Sequence, residues 1–91
     1  MSVKTNPRAS SRVSWEGIAY RLKEIRGNTS QVDLGRALDA PQNVVSRYER
    51  GRVKPPLEYL LAASRYADVT LDWLITGEKP KHRKRDASTL G

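Results

Sequence analysis

Two short amphipathic patterns separated by only two residues constrain the fold of this chain more than any other feature. The first covers residues 31–38 and has two leucines four residues apart. Ser30 followed by Asp33 has the spacing of a capping box at the start of this pattern. The second pattern follows directly after the link Asp39-Ala40. Because two short helices joined so tightly must cross at a steep angle, the sequence predicts a helix-turn-helix arrangement.

The second pattern reads PQNVVSRYERG, from Pro41 to Gly51, and places two kinds of side chain on opposite faces of a helix. Val45 and Tyr48 are three residues apart and form the packing face. A proline in the first turn and a glycine after the last turn predict a helix over about residues 41–50. The other face carries groups that can form hydrogen bonds with base edges or phosphates, namely the side chains of Gln42, Asn43, Ser46, Arg47 and Arg50.

Three further helices are predicted around this pair. The first begins at a Ser14 cap and ends at Gly27, the fourth follows Pro55-Pro56, and the last begins at Thr70 and ends at Gly77. Their predicted buried positions are Ile18, Leu22 and Ile25 in the first, Leu57, Leu60, Leu61 and Ser64 in the fourth, and Leu71, Leu74 and Ile75 in the last. Five helices without a strand predict a compact all-α domain over residues 14–78.

The charge of the chain is divided unevenly along its length. Of the net charge of +7, residues 1–13 carry +3 and residues 79–91 carry +4, and both ends are expected to be flexible. Residues 14–78 contain nine basic and nine acidic side chains. Within that neutral body, residues 42–54 have a net charge of +3 and residues 57–78 a net charge of −3. The domain is therefore expected to have a positive side centred on PQNVVSRYERG and a negative side facing away from it.

Several classes of protein receive no support from the residues present. There is no cysteine for a disulfide or a cysteine-based zinc site, and no apolar run approaches the roughly 20 residues that span a bilayer. His82 is the only histidine, so neither a metal site nor a catalytic pair is predicted. We therefore expect a cytoplasmic protein that has no membrane partner, no cofactor and no enzymatic activity.

The strings RLKEIR, TSQVDLGRALDAPQNVVSRYERGRVKPP and LDWLITGE, over about residues 18–78, resemble the Cro and lambda-repressor type of helix-turn-helix regulators, the xenobiotic-response-element family. The resemblance implies a five-helix, lambda-repressor-like DNA-binding domain. Such domains are usually dimeric on a palindromic operator, with the third helix in the major groove. By position it implies base readout by Gln42, Asn43, Ser46 and Arg47, with Val44 against a thymine methyl. It implies DNA-backbone contacts by Gln31, Arg50, Arg52 and Lys54.

The chain departs from the family pattern at four positions. Asp39 and Asp68 stand where the family usually has glycine in turns, so these turns are expected to be slightly strained or differently shaped. Pro41 replaces the usual serine or threonine cap. Gly35 replaces the more usual alanine, and a residue this small on the buried side of its helix predicts that another helix passes close by.

Five other side chains receive structural roles. Glu49 is expected to hold the guanidinium group of Arg47 or Arg50 in position, and Tyr48 is expected in the core. Trp73 is assigned to the core with a dimer contact as the alternative, and the two residues after it, Leu74 and Ile75, are equally compatible with core and interface.

The function predicted from these residues is that of a small transcriptional regulator, a repressor, bound as a homodimer to double-stranded DNA with half-sites ~34 Å apart. Two alternatives stay open at this point. The first is the antitoxin half of a toxin pair, in which a protein partner covers residues 57–78. The second is an adaptor that uses the helix-turn-helix for protein contacts. The basic tail KPKHRKR is expected to contact DNA nonspecifically, with plain solvation and a targeting role as the other interpretations.

Overall fold

The computed structural model describes residues 13–78 and 81–82, and five α-helices form that part of the chain. They are α1 (Trp15–Arg26), α2 (Gln31–Leu38), α3 (Gln42–Glu49), α4 (Leu57–Ala67) and α5 (Leu71–Thr76). The predicted all-α, five-helix architecture is confirmed. Within the described part, no helix has the length and apolar character needed to cross a membrane. The flexible ends predicted for residues 1–13 and 79–91 lie outside the described residues, except Val13, Lys81 and His82.

The helix starts follow the capping signals of the sequence. The side chains of Ser14, Ser30 and Thr70 each accept a hydrogen bond from the amide three residues later, at 3.0–3.1 Å, and begin α1, α2 and α5. The other two helices begin after prolines in extended conformation, Pro41 and Pro56, without a side-chain cap. Pro41 therefore precedes the first turn of α3, one position earlier than predicted, because its ψ of 155° is not helical.

The hydrophobic core lies where α1, α4 and α5 meet. Ile18 of α1 and Leu74 of α5 are completely buried, and Trp73 beside Leu74 is buried as well. The assignment of Trp73 to the core is therefore confirmed, and Leu74 is excluded from an interface. Ile75 is half-buried and packs against the same core.

The register of α4 differs from the prediction at its first residue. The buried residues of this helix are Tyr59, Leu60, Ala63 and Ser64, which recur at helical spacing on one face. Leu57 lies two residues before this set and is 65% exposed, so its assignment to the buried stripe was wrong. Leu61 lies one turn after Leu57 and is only half-buried. The outward face of α4 consequently carries apolar side chains.

The two aspartates that replace family glycines both adopt the left-handed conformation. Asp39 ends α2 at φ 57°, and Asp68 ends α4 at φ 58°. The turn before α3 is also closed by a 2.8 Å hydrogen bond from the Ala40 amide to the Gly35 carbonyl. Left-handed conformation is therefore adopted at both positions without glycine, and its expected cost at an aspartate is roughly 1 kcal/mol.

Gly35 is needed because of the turn that follows α2. A methyl group at its Cα would collide with the carbonyl oxygen of Ala40, and Val45 of α3 lies next to it at 3.5 Å. The prediction that another part of the chain lies close to Gly35 was correct. The nearest neighbour, however, is the backbone of the turn, and the neighbouring helix α3 is only the second contact. The absence of a side chain at residue 35 therefore permits the two-residue link between α2 and α3.

Tyr48 of α3 packs as predicted, against the ring of Tyr59 at a centroid distance of 4.6 Å and an interplanar angle of 63°. The Tyr59 hydroxyl is buried and has no hydrogen-bond partner among the described residues. Burial and the nearby Glu49 carboxylate raise the pKa of Tyr59 to about 12. Tyr59 therefore resists ionisation in the folded domain.

We expect Tyr59→Phe to leave the domain at least as stable as the wild type, because the substitution removes a buried hydroxyl without a partner. An unfolded tyrosine loses its proton near pH 10, so the wild type loses stability as the pH rises from 10 towards 12. The variant should lose less stability over this interval. Urea unfolding at neutral pH and above pH 10 measures both effects, and an equal alkaline loss in the variant would contradict the role of Tyr59.

The described residues beyond Glu78 lie back against the domain. Lys81 places its ammonium 2.6 Å from the Glu24 carboxylate of α1 and 4.8 Å from the centre of the Trp73 ring. The Lys81 carbonyl accepts a 2.8 Å hydrogen bond from the Thr70 amide, and His82 forms an antiparallel bridge with Val69. At these two positions the chain contacts α1 and the start of α5.

Candidate nucleic-acid interface

The polar face of α3 is oriented outward because the opposite face is anchored in the domain. Val45 is completely buried and Tyr48 is half-buried, so α3 packs against the domain through this side. The residues on the opposite side of the helix therefore face outward. Of the five predicted base-reading residues, Gln42, Asn43 and Arg47 are exposed, whereas Val44 and Ser46 are half-buried.

The structure brings four of these five residues together and separates the fifth. Gln42, Asn43, Ser46 and Arg47 share one face of α3 by helical spacing. Val44 instead lines a different hollow, together with Pro41, Pro56 and Tyr59 of α4.

A side-chain network, here called the Glu49 network, ties α3 to α1 and α2. The Glu49 carboxylate accepts hydrogen bonds from Arg26 Nε at 2.8 and 3.1 Å, and from Gln31 Nε2 at 3.0 Å. The Gln31 side-chain oxygen in turn accepts a 2.7 Å hydrogen bond from Gln42 Nε2. The network therefore runs from the end of α1 to the first residue of the exposed face of α3.

Glu49 is the buried member of this network, with a side chain only 2% exposed. Arg26 compensates its charge, and the hydrogen bond to Glu49 raises the pKa of Arg26. Arg26 also donates to the Thr29 carbonyl at 2.9 Å, which holds the turn between α1 and α2. The expectation that Glu49 holds Arg47 or Arg50 was wrong, because Glu49 lies four residues after Val45 and thus on the buried side of α3.

Gln31 and Gln42 occupy the first positions of α2 and α3. Their hydrogen bond links the two helix starts directly. Because Gln31 is itself held by Glu49, the position of Gln42 depends on a carboxylate at the far end of α3. An exposed glutamine has many rotamers, and this arrangement restricts them before any ligand binds.

Beside the Glu49 network lies an open groove of about 510 Å³ with a strongly basic lining. Its lining includes three exposed basic residues, namely Lys23 of α1, Arg50 and Arg52. Its remaining lining residues are Arg26, Gln31, Ser46 and Glu49. Cationic groups converging on an open polar surface favour an anionic ligand such as a phosphate.

The groove unites three of the four predicted DNA-backbone residues, Gln31, Arg50 and Arg52. The fourth, Lys54, is exposed elsewhere, with its ammonium 5.5 Å from the centre of the Trp15 ring. Lys23 was not predicted to belong to the site. It is an exposed residue near the end of α1, and its proximity to the groove depends on how α1 packs beside α3, which its own sequence does not show.

Comparison with known proteins agrees with this geometry. The family model described as Helix-turn-helix matches residues 20–74, which is more than half of the chain. The chain belongs to the helix-turn-helix family. This agrees with the resemblance to Cro and lambda-repressor type regulators inferred from the motifs. No curated protein sequence matches the chain at a significant level.

Among solved structures, this helix-turn-helix protein is similar to the P22 c2 repressor protein in complex with synthetic operator 9T in the presence of Tl⁺. The two share 27% sequence identity and a TM-score of 0.63. The match covers 67% of this chain and 96% of that chain. The lambda-repressor-like fold is thereby confirmed.

The helix-turn-helix pair of the family is α2 and α3, joined by the turn at Asp39.

In the part of the chain that the structure describes, no group of three or more histidine or acidic side chains has the arrangement of a metal site. The residues that line the groove supply hydrogen-bonding groups and positive charge.

Proposed function

We propose that this protein is a sequence-specific transcriptional regulator, a repressor, that binds double-stranded DNA with α3 in the major groove. The observation that carries the proposal is the exposed polar face of α3, held in place by the Glu49 network beside a basic groove. An α-helix fits the major groove, and the base edges there are read by amide and guanidinium side chains. The similarity to a repressor solved with operator DNA supports the same ligand.

The proposed contacts divide into two kinds. Gln42, Asn43, Ser46 and Arg47 read bases, since glutamine and asparagine pair with adenine and arginine pairs with guanine. Val44, which lines the neighbouring hollow, stays a proposed contact to a thymine methyl. Gln31, Arg50, Arg52 and Lys54 hold phosphates, which positions α3 without specifying sequence.

The proposed DNA complex contains two protomers on a palindromic operator with half-sites ~34 Å apart. We place this activity in the cytoplasm. Residues 79–91 are proposed to add a sequence-independent attraction to DNA through counterion release. Lys81 is expected to contribute little to this attraction, because its ammonium is paired with Glu24.

We expect Arg47→Ala to weaken operator binding by about 10- to 100-fold, because one bidentate base contact contributes about 1–3 kcal/mol of discrimination. The sequence preference at the corresponding base pair should also relax. The operator is first selected from a random DNA pool, and affinity is then measured at fixed salt for the selected site and for single-base variants of it.

Arg47→Lys is the matched control, since lysine keeps the charge but lacks the planar fork of arginine. This variant should keep affinity for unrelated DNA and lose discrimination at the same base pair. If Arg47→Ala changes neither affinity nor sequence preference, base readout by Arg47 is excluded. Equal weakening on all sequences would show instead that Arg47 contacts phosphate.

A further inference from the structure

We propose that a hollow beside α3, on the flank away from the basic groove, is a binding site for a small organic amine with an apolar body. The hollow, here called the Val44 hollow, has a volume of about 330 Å³. It lies between the turn at Asp39, the residues Val44 and Tyr48 of α3, and the start of α4. This inference goes beyond the proposed DNA binding and does not depend on it.

The Val44 hollow and the basic groove lie on two flanks of the same helix. Val45 is completely buried, and its neighbours Val44 and Ser46 lie about 100° from it in opposite directions around the helix. Val44 lines the hollow, whereas Ser46 lines the groove together with Arg50 and Arg52. No basic residue is among the described residues that line the hollow. The two flanks of α3 therefore favour ligands of opposite charge.

The wall of the Val44 hollow is largely apolar and rigid. Tyr48 and Tyr59 line it, and their rings contact each other with centroids 4.6 Å apart. Pro41 and Pro56 line it as well, each in extended conformation directly before a helix. Because a proline ring fixes φ and the two tyrosines pack in or against the core, this wall keeps its shape without a ligand. Preformed apolar hollows of about 300 Å³ or more are typical of small-molecule sites.

Two carboxylates determine which ligand the Val44 hollow favours. Asp39 and Glu58 line it and are both exposed. Within the described part of the chain, neither of them forms an ion pair. Both carboxylates attract an ammonium group held in the hollow, and the tyrosine rings attract a cation as well. The same carboxylates repel phosphate, so nucleic acid is disfavoured as the occupant. The ligand is therefore a cation with an aromatic or aliphatic body.

The test is an NMR titration of the full chain with phenethylamine, in the absence of DNA. The amide signals of Ala40, Val44 and Tyr48 report on the hollow, and those of Arg50 and Arg52 report on the groove. The hollow signals should shift and saturate with a dissociation constant on the order of 1 mM, as expected for a ligand this small. Neutral 2-phenylethanol should bind about 3- to 20-fold more weakly, and negatively charged phenylacetate should not saturate the site.

A double variant, Asp39→Asn with Glu58→Gln, removes both charges and hardly changes the size of the side chains. Asparagine also tolerates the left-handed conformation of residue 39, so the turn should keep its shape. The affinity for phenethylamine should fall about 3- to 20-fold, to that of 2-phenylethanol. The matched control is Asp33→Asn with Asp72→Asn, which removes two exposed carboxylates that do not line the hollow. This control should bind phenethylamine as the wild type does.

Each outcome decides the proposal. Saturable shifts at the hollow that follow the order amine, alcohol, acid support it, as does their loss in the double variant alone. Equal binding of the three probes overturns it, and so do shifts that grow without saturation. Amine binding that is unchanged in the double variant, or weakened equally in the control, also overturns it. If circular dichroism shows that the double variant is unfolded, the three probes on the wild type still decide. Failure of this test leaves the proposed DNA binding intact, because no DNA is present.

Discussion

We expect Glu49→Gln to lower the free energy of unfolding by about 2–3 kcal/mol and to weaken operator binding as well. Removing one partner of a buried ion pair usually costs 3–5 kcal/mol, and the loss is reduced here because the Arg26 side chain is 20% exposed and keeps its bond to Thr29. The new amide also directs N–H groups at Arg26 or Gln31, both of which are donors to this site. Thermal unfolding followed by circular dichroism should show a midpoint lower by roughly 10–20 °C.

The matched control is Asp33→Asn, which breaks an ion pair with Arg36 in which both side chains are largely exposed. It should change stability by less than about 0.5 kcal/mol, because exposed pairs contribute little. If Glu49→Gln lowers the free energy of unfolding as little as this control does, the Glu49 network does not hold the helices together.

A double variant separates the stabilising role of this ion pair from its role at the interface. Replacing Arg26 with Met and Glu49 with Leu removes both charges and should recover most of the lost stability. Operator affinity should stay low, because Gln31 has lost the acceptor that positions it and Gln42. Recovery of both stability and operator affinity would mean that Gln31 keeps its position without the hydrogen bond to the Glu49 side chain.

The sequence predicts the elements of this fold because their signals are local. Ser14, Ser30 and Thr70 each lie directly before an apolar periodic run, and each caps its helix in the structure. The outward face of α3 is equally local, since the spacing of Val45 and Tyr48 determines which residues point away. The helix starts and the outward face of α3 can therefore be predicted from the spacing of apolar residues at three and four positions.

The Glu49 network was missed because its signal is partly local and partly distant. The spacing Val45, Tyr48, Glu49 already places the carboxylate on the packing face, so its burial was available from the sequence. Its partner Arg26 lies 23 residues earlier, on another helix, and only the packing of α1 against α3 brings the two together. A charged residue on a packing face indicates a partner of opposite charge without naming it.

The register of α4 could not be obtained from its apolar residues, because leucines occur on both of its faces. Leu57, Leu60 and Leu61 all satisfy helical spacing, and only the contact with α1 and α5 selects Leu60 as the buried one.

The position of Lys81 could not be predicted from the sequence either. Its charge suggested a free basic tail, whereas Glu24 and the Trp73 ring hold it against the domain.

We expect Gly35→Ala to lower the free energy of unfolding by about 2–3 kcal/mol, although alanine is the better helix former by about 1 kcal/mol. The added methyl group meets the Ala40 carbonyl oxygen, which belongs to backbone and cannot rotate away. Moving that carbonyl strains the left-handed turn at Asp39 and the hydrogen bond from the Ala40 amide to Gly35. Urea unfolding measures the change.

Gly17→Ala is the matched control, since Gly17 is also helical but the nearest neighbour of its methyl group would be the flexible Arg21 guanidinium, at 3.2–3.3 Å. Arg21 is held by the Leu74 and Ile75 carbonyls, so the gain in helix propensity and the crowding should nearly cancel. The sign of the Gly35→Ala effect therefore decides between two explanations. A destabilised variant means that the two-residue turn requires glycine at position 35. A stabilised variant means that the turn shifts freely, and that the crossing angle of α2 and α3 is set instead by the contact between Gln31 and Gln42.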